Sequence, residues 1–372
     1  MLSQNNAMQL DKNKPEKISN EEIVKIIELA RWAPSGDNSQ HWSFHWDGEL
    51  LRVFVDKQRA EHILNPDDVC TYYAMGCLFE YIEAAALKYG YKAKLKYIDN
   101  DDLFAEYQFA ECPADSGYID SLCKRYTDRR YYKNKAVTEN IINKCHNLAG
   151  KFEGIQLYFK TDKKYPEKFL DSFIKAEQFL WHKFKNLNFI LQWMRLSKKE
   201  FQESSDGLSY GNLGINFIDA LNLKLTRLYP FLYPLMRPFV LFKIAYNTKR
   251  YLREGAGLFT ITVSDLTNNQ QKIGVGRLGT QIWSYLNSED ISVQPMTSLV
   301  MQIYYFNQGN LAQAFDLNNI EYIQGAEDIF KKIYEIPSEE QLAWQFRFGY
   351  SEPVTKAMSI KRRDVDEMLN IS

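Results

Sequence analysis

This 372-residue sequence has little cysteine, almost no net charge and no glycine-rich nucleotide loop, and each shortage removes a class of function. Its five cysteines (Cys70, Cys77, Cys112, Cys123 and Cys145) form no Cys-x-x-Cys pair and leave one over. Neither a disulfide framework nor a zinc site is therefore expected, and a reducing, cytoplasmic setting fits. With 46 basic against 47 acidic residues the net charge is −1, which supplies no overall basic face for binding nucleic acid through counterion release. No Gly-x-Gly-x-x-Gly follows a strand-like run. The run Gly274-Val275-Gly276-Arg277-Leu278-Gly279 has that spacing but not that context, so no Rossmann nucleotide domain is expected. The opening residues, MLSQNNAMQLDKNKPEK, lack the apolar core of a secretion signal and read as a flexible lead-in over 1–17.

Aromatic residues, by contrast, are plentiful: 24 Tyr and 23 Phe suit either large core and interface side chains or a pocket for a flat ligand. The most apolar run, Leu228 to Tyr246, contains three prolines, Arg237 and Lys243. Each central charge costs roughly 2.5–3.5 kcal/mol on insertion, so no membrane-spanning helix is expected. The run reads as a buried helix or lid, with peripheral membrane contact as the alternative.

Ser19-x-x-Glu22 is a capping box, followed by Ile23, Ile26, Ile27 and Ala30 at helical spacing, and this helix is expected to end at Ala33-Pro34. A polar loop, Ser35-Gly36-Asp37-Asn38, leads to two strand-like runs, 42–46 and 50–56, joined through Asp47-Gly48 as a hairpin. A helix over about 70–89 carries Met75, Leu78, Phe79, Ile82, Ala85 and Ala86 on one side, stops at Gly90 and precedes an alternating run, 92–98.

Val137-Thr138 then repeats the β-branched, hydroxyl-cap, amphipathic-helix pattern of Ile18-Ser19, and Leu148-Ala149 matches Leu29-Ala30. A helical run at 279–287 again precedes a strand. The pattern predicts an internal duplication, with one half over 18–115 and a second over 116–372. A helical insertion at about 165–253 interrupts the second half, beginning with a long helical run at 169–194.

The densest chemical signal is ARWAPSGDNSQHW, residues 30–42: a helix end, a tight polar loop exposing backbone amides and an asparagine, then a strand. Such a loop suits the edge of a planar heterocycle. Its text resembles the A-P-S-x-x-N-x-Q-P-W signature of FMN-dependent nitroreductases, departing at His41, where that family usually has proline.

The resemblance implies an α+β, nitroreductase-like fold. Two related halves, each a mainly antiparallel sheet flanked by helices, would form an internal pseudo-dimer, as in the tandem, Acg-like branch where a monomer imitates the usual dimer. It also implies flavin-ring contacts from Pro34, Ser35, Gly36 and Asn38. The family's phosphate-binding cluster has no counterpart before Ser19; RYTDRR at 125–130 offers Arg125, Thr127, Arg129 and Arg130 instead. Arginine keeps its charge and donates in pairs, as a phosphate dianion requires. The competing reading is a solvated basic turn paired with Asp120 or Asp128. By the same resemblance, Arg362 and Arg363 complete the phosphate site, with a solvated tail as the alternative. The turn Gln294-Pro295-Met296 would present a backbone N–H to flavin N5 at Pro295 and Met296.

One copy of each component implies one FMN per chain. The implied activity is that of an FMN-dependent oxidoreductase passing hydride through flavin N5 to or from an organic small molecule, with NAD(P)H as candidate reductant and no metal. Two alternatives stand beside it: a flavin-storing protein covered by the insertion, and a degenerate scaffold without flavin. The insertion's Phe179, Trp181, Phe184, Trp193, Tyr210, Tyr229, Phe231 and Tyr233 suit a large apolar substrate or a core equally. Turns at Ser205-Asp206-Gly207 and Gly211-Asn212 suggest hinges of a lid over 200–215. His182 and Glu200 read as structural, and monomer and homodimer are both open.

Overall fold

In the computed structural model, which describes residues 17–100, 102–309, 321–352 and 360–372, the first capping box forms as the sequence predicts. Ser19 Oγ accepts from Glu22 N at 3.2 Å and Glu22 Oε2 accepts from Ser19 N at 2.8 Å. They start the helix Asn20–Ala30, which buries Ile23, Ile26, Ile27 and Ala30. Asp47 accepts from the amides of Glu49 and Leu50, turning β1 (Trp42–Trp46) back as β2 (Leu51–Val55), and alternation puts Trp42, Phe44 and Trp46 inside.

The later strands are β3 (Tyr91–Asn100), β4 (Leu103–Glu111), β5 (Ile155–Lys160), β6 (Met194–Arg195), β7 (Leu208–Ser209), β8 (Gly257–Val263), β9 (Ser292–Pro295), β10 (Gln341–Gly349) and β11 (Leu369–Ile371). One sheet has the order β11-β1-β2-β4-β3 and is antiparallel except for β11, which lies parallel to β1 with Leu369 opposite Phe44. The other, β5-β8-β10-β9, is antiparallel throughout. With helices against both sheets the architecture is α+β, as expected. Strand β11 joins the first sheet although the repeat pattern assigns its residues to the second half.

Two long helices, Val69–Lys88 and Asn269–Ser288, cross between the two cores at glycine. A Cβ added to Gly76 would lie 2.1 Å from the Ile273 carbonyl oxygen, and one added to Gly276 would lie 2.0 Å from that of Tyr73. The contact is reciprocal. Tyr73 and Cys77 reach into the core around the second sheet, while Ile273 reaches into the core around the first. The second helix begins ten residues before the run at 279–287 that the sequence suggests. Glycines at 274, 276 and 279 disguise its first half, since glycine disfavours helix unless close approach demands it.

Other expectations hold only in outline. Thr138 precedes the helix Glu139–Ala149 with extended backbone, but its hydroxyl makes no capping bond. The run at 169–194 is two helices, Glu167–His182 and Phe184–Leu191, because Lys183 is extended between them. The predicted burial of the 228–246 segment fails: Phe231, Leu235, Phe239 and Phe242 are each between 72% and 75% exposed. The helix Tyr233–Arg253 packs on Glu167–His182 with only part of its circumference, burying Tyr233, Thr248 and Leu252. Leu235, Phe239, Phe242 and Tyr246 face outward. Among the described residues, no helix is long and apolar enough to cross a membrane.

The glycine crossing gives a direct test. Gly276→Ala pushes a methyl into a backbone carbonyl and should lower unfolding free energy by about 1–3 kcal/mol or more. Gly274→Ala meets only the tip of the Ile155 side chain and should cost distinctly less. Urea midpoints of the two variants at equal m-value check the order; equal losses would contradict a backbone-limited contact.

Candidate functional site

The loop after the first helix owes its shape to unusual backbone: Asp37, Asn38 and Gln40 all have positive φ, between +48° and +59°. Left-handed backbone is costly outside glycine and persists where surrounding bonds over-determine it. Here they do. Ser35 Oγ accepts from Gln40 N at 2.9 Å, and Gln40 Nε2 donates to Ser205 O at 3.0 Å. Asn38 Nδ2 donates to Gly207 O at 2.9 Å and to Lys361 O at 3.0 Å, and Arg363 N donates to Gln40 Oε1 at 2.8 Å. The loop is thus clamped by the insertion on one side and by residues 361–363 on the other.

These bonds revise the hinge reading of Ser205-Asp206-Gly207. Asp206 accepts from Arg59 at 2.9 Å and from Arg195, and the turn is tied to Asn38 and Gln40, so it acts as a strut. Gly207 is left-handed and a Cβ there would strike Trp193 O at 2.5 Å, which accounts for glycine in that turn.

Behind the loop lies a cavity of about 400 Å³. Of the residues the sequence nominates, Pro34, Ser35, Gly36, Asn38, Arg125, Thr127, Arg129, Pro295, Met296 and Arg362 all line it. Arg130 and Arg363 do not. Arg130 is bound to Asp128, at 2.7 and 3.0 Å, and to Ser351, while Arg363 donates to the carbonyls of Gln40, Trp42 and Glu367 and braces the loop from outside. His182 is also absent from the lining. Glu200 is held down to about 2 against its own burial by Arg227, the Leu196 amide and Lys224, in a structural network.

Four arginines line the wall, and three of them differ from Arg59, which pairs with Asp206. Arg125 stacks 4.4 Å from the Trp283 ring centroid and donates to Tyr81 Oη. Arg129 donates to Asn212 O, and burial lowers its affinity for a proton. Arg362 donates to Trp32 O and leaves a buried Nε without a partner; burial, with Arg125 nearby, pulls it down to about 9. Among the described residues, none of the three has a carboxylate ion-pair partner. Asp128, the acid within the RYTDRR run, is already committed to Arg130.

The turn at 294–296 also differs from expectation. Pro295 has no N–H, and the Met296 N–H is spent on Gln345 O at 2.7 Å. The next pocket residues, Thr297 and Ser298, open the helix Ser298–Asn307 and are better placed to offer an amide.

Sequence reasoning missed several lining residues: Arg59, Glu177, Tyr251, Trp283 and Trp344. Burial favours the protonated form of Glu177, with only the Ser298 hydroxyl opposing it. No local motif marks these residues; they are gathered from five separated segments.

Residues 12–62 match the model of the Nitroreductase family, and the described part of that segment is the capped helix, the strained loop and the first hairpin. This segment is nitroreductase-like. Several solved structures resemble the chain loosely. A nitroreductase with bound FMN from Desulfitobacterium hafniense is 8% identical, covers 64% of this chain and 90% of its own, and has a TM-score of 0.31. An FMN-dependent nitroreductase from Clostridium difficile is 11% identical over 68% and 97%, with a TM-score of 0.35. The FMN-dependent nitroreductase NfnB from Mycobacterium smegmatis, in complex with NADPH, is 12% identical over 68% and 97%, also at 0.35. No curated protein matches the chain. In the nitroreductase-like segment the departure from the family text, His41, is buried in the pocket wall with Nδ1 3.0 Å from Ser39 Oγ.

Burial lowers His41 to about 4, below its ordinary value of 6.5. The unfolded chain therefore binds a proton here before the folded one does. The contribution is absent above about pH 7, and stability falls as pH drops from about 6.5 to 4, by about 3 kcal/mol in all. His41→Gln should remove that share, so the variant's unfolding free energy should fall less steeply across this window. Parallel pH profiles would show that His41 does not titrate as its burial demands.

Proposed function

We propose that the chain is an FMN-binding oxidoreductase of nitroreductase type, with one flavin site built jointly by the two halves of an internal pseudo-dimer, 18–115 and 116–372. The observation that carries this reading is the convergence of three guanidiniums, Arg125, Arg129 and the buried Arg362, none with a carboxylate partner among the described residues, on a pocket also lined by the nitroreductase-like loop. Buried cations without counter-charge are costly, and a phosphate dianion offsets that cost while accepting several N–H bonds.

The ring end fits as well. Asn38 is fixed through Nδ2 and keeps a buried Oδ1 without a partner, an acceptor for a ring N–H beside Pro34, Ser35 and Gly36. Thr127 adds a hydroxyl near the phosphate end. Thr297 and Ser298, rather than Pro295 and Met296, supply the amide toward N5, while Pro295 and Met296 shape the wall.

Bound FMN supplies hydride transfer at N5. The protein's own residues bind and orient it, and Trp193, Leu208 and Tyr251 from the insertion limit water at the ring. A nicotinamide nucleotide, NADPH or NADH, is the proposed reductant and an organic small molecule the oxidant, both entering this pocket in turn. The cytoplasm, where the five unpaired cysteines stay reduced, is the proposed location.

A single site per chain is supported by the crossing helices. In the register that pairs Gly76 with Gly276, pocket residues Cys77 and Trp283 correspond to Arg277 and Glu83. Those two join in an ion pair at 2.5 Å that also includes Glu80, filling the place a second pocket would need.

Chain reconstituted with FMN should hold one flavin per chain; two would contradict the shared-site reading. Arg125→Ala and Arg362→Ala each remove a charge-assisted contact of roughly 1.5–3 kcal/mol, so FMN affinity should fall about ten-fold or more. Riboflavin, lacking the phosphate, should bind almost unchanged. Equal losses for both ligands would place the cluster elsewhere.

Turnover is tested separately. NADPH should bleach the visible flavin absorption and a quinone or nitroaromatic should restore it. Failure of bleaching with every nicotinamide nucleotide would assign the site to storage.

A further inference from the structure

The insertion carries a surface that the flavin site does not use. In the helix Phe217–Leu228, Phe217, Ile218, Leu221, Leu225 and Leu228 fall on one stripe at helical spacing, and all are exposed. In the helix Tyr233–Arg253, Leu235, Phe239, Phe242 and Tyr246 form a second exposed stripe. Tyr229 and Phe231 continue it through the connection between the two helices. Monomeric soluble proteins rarely show so much contiguous apolar surface without something to cover it.

Charge indicates what covers it. The chain as a whole is at −1, yet residues 217–253 hold seven Lys and Arg against one acid, Asp219. The three carboxylates that reach in from outside to pair with them, Glu167, Glu200 and Glu254, still leave cations in excess. Arg237 lies two positions from both Leu235 and Phe239, is exposed, and among the described residues donates to the carbonyl of His182 alone. A second copy docked through the same face would bring two cationic surfaces together, which like-charge repulsion opposes.

We propose that this face docks on an anionic phospholipid membrane, the two helices lying in the interface with their apolar stripes inserted and their cations among the headgroups. Basic amphipathic helices bearing exposed Phe and Leu bind such surfaces through apolar burial plus attraction to anionic lipid. Since no described helix is apolar and long enough to span the bilayer, the contact is peripheral. The inference does not depend on the flavin reading, because the probe is lipid alone.

The purified full chain, as isolated, is sedimented with vesicles of mixed phosphatidylglycerol and phosphatidylcholine, and with phosphatidylcholine alone. Binding to the mixed vesicles should be at least about ten-fold stronger and should weaken with salt. A double variant, Phe239→Ser with Phe242→Ser, should reduce binding to the mixed vesicles at least about ten-fold. Both positions are exposed, so circular dichroism should match the parent chain. Arg237→Glu should lower binding to anionic vesicles while leaving any residual binding to phosphatidylcholine unchanged. Failure to sediment with any vesicle overturns the proposal. So does a parent dimer that the double variant converts to monomer without vesicle binding, since that would assign the face to a second copy of the chain.

Discussion

Two backbone carbonyls set the spacing of this molecule. The oxygens of Tyr73 and Ile273 sit where a side chain on Gly276 or Gly76 would begin, so the central helices approach as closely as backbone allows. Everything that lines the cavity from this side rides on that crossing. Cys77 follows Gly76 directly, and Trp283 lies two turns beyond Gly276. Arg125 in turn rests on Trp283, whose Nε1 donates to Tyr126 O at 2.9 Å. A wider crossing would displace the aromatic shelf and the guanidinium it carries together.

The electrostatics of the cavity are exceptional within this chain. Elsewhere buried charge is matched: Asp128 with Arg130, Arg277 with Glu80 and Glu83. Arg347, almost fully buried, spends its donors on Gln294 and on the carbonyls of Asp128 and Arg130, between the rings of Tyr132 and Tyr251. At the cavity burial lowers the hold of Arg129 and Arg362 on their protons, and a neighbouring guanidinium, Arg347 for the first and Arg125 for the second, lowers it further. An arriving anion reverses both effects at once, which couples its affinity to the whole cluster.

Much of this was legible in the sequence where signals are local. The Ser19 capping box, the Asp47-Gly48 hairpin and the loop at 34–38 are written in adjacent residues, and RYTDRR placed Arg125, Thr127 and Arg129 at the cavity. What failed was decided by tertiary neighbours. The text of RYTDRR does not say which arginine its Asp128 takes; the fold gives it Arg130 and leaves Arg129 to the cavity. Met296 lost its free amide to Gln345, half a hundred residues away, and the glycines that hid half of one central helix are explained only by the other. The apolar run at 228–246 looked buried because composition reports hydrophobicity, whereas burial depends on which faces find a partner.

The clamp on the loop also orders events in time. Asn38 bonds to Lys361 and Gln40 to Arg363 across a separation of 323 residues each, and β11 adds itself to β1 over a similar span. During synthesis the loop and the edge of the first sheet emerge early, but their partners leave the ribosome only after several hundred more residues have been joined. Contacts of such long separation form late, because loop closure must precede their reward. For most of translation the strained backbone at 37–40 therefore lacks what holds it, and the exposed edge of β1 stays open to wrong pairings that a chaperone would have to prevent.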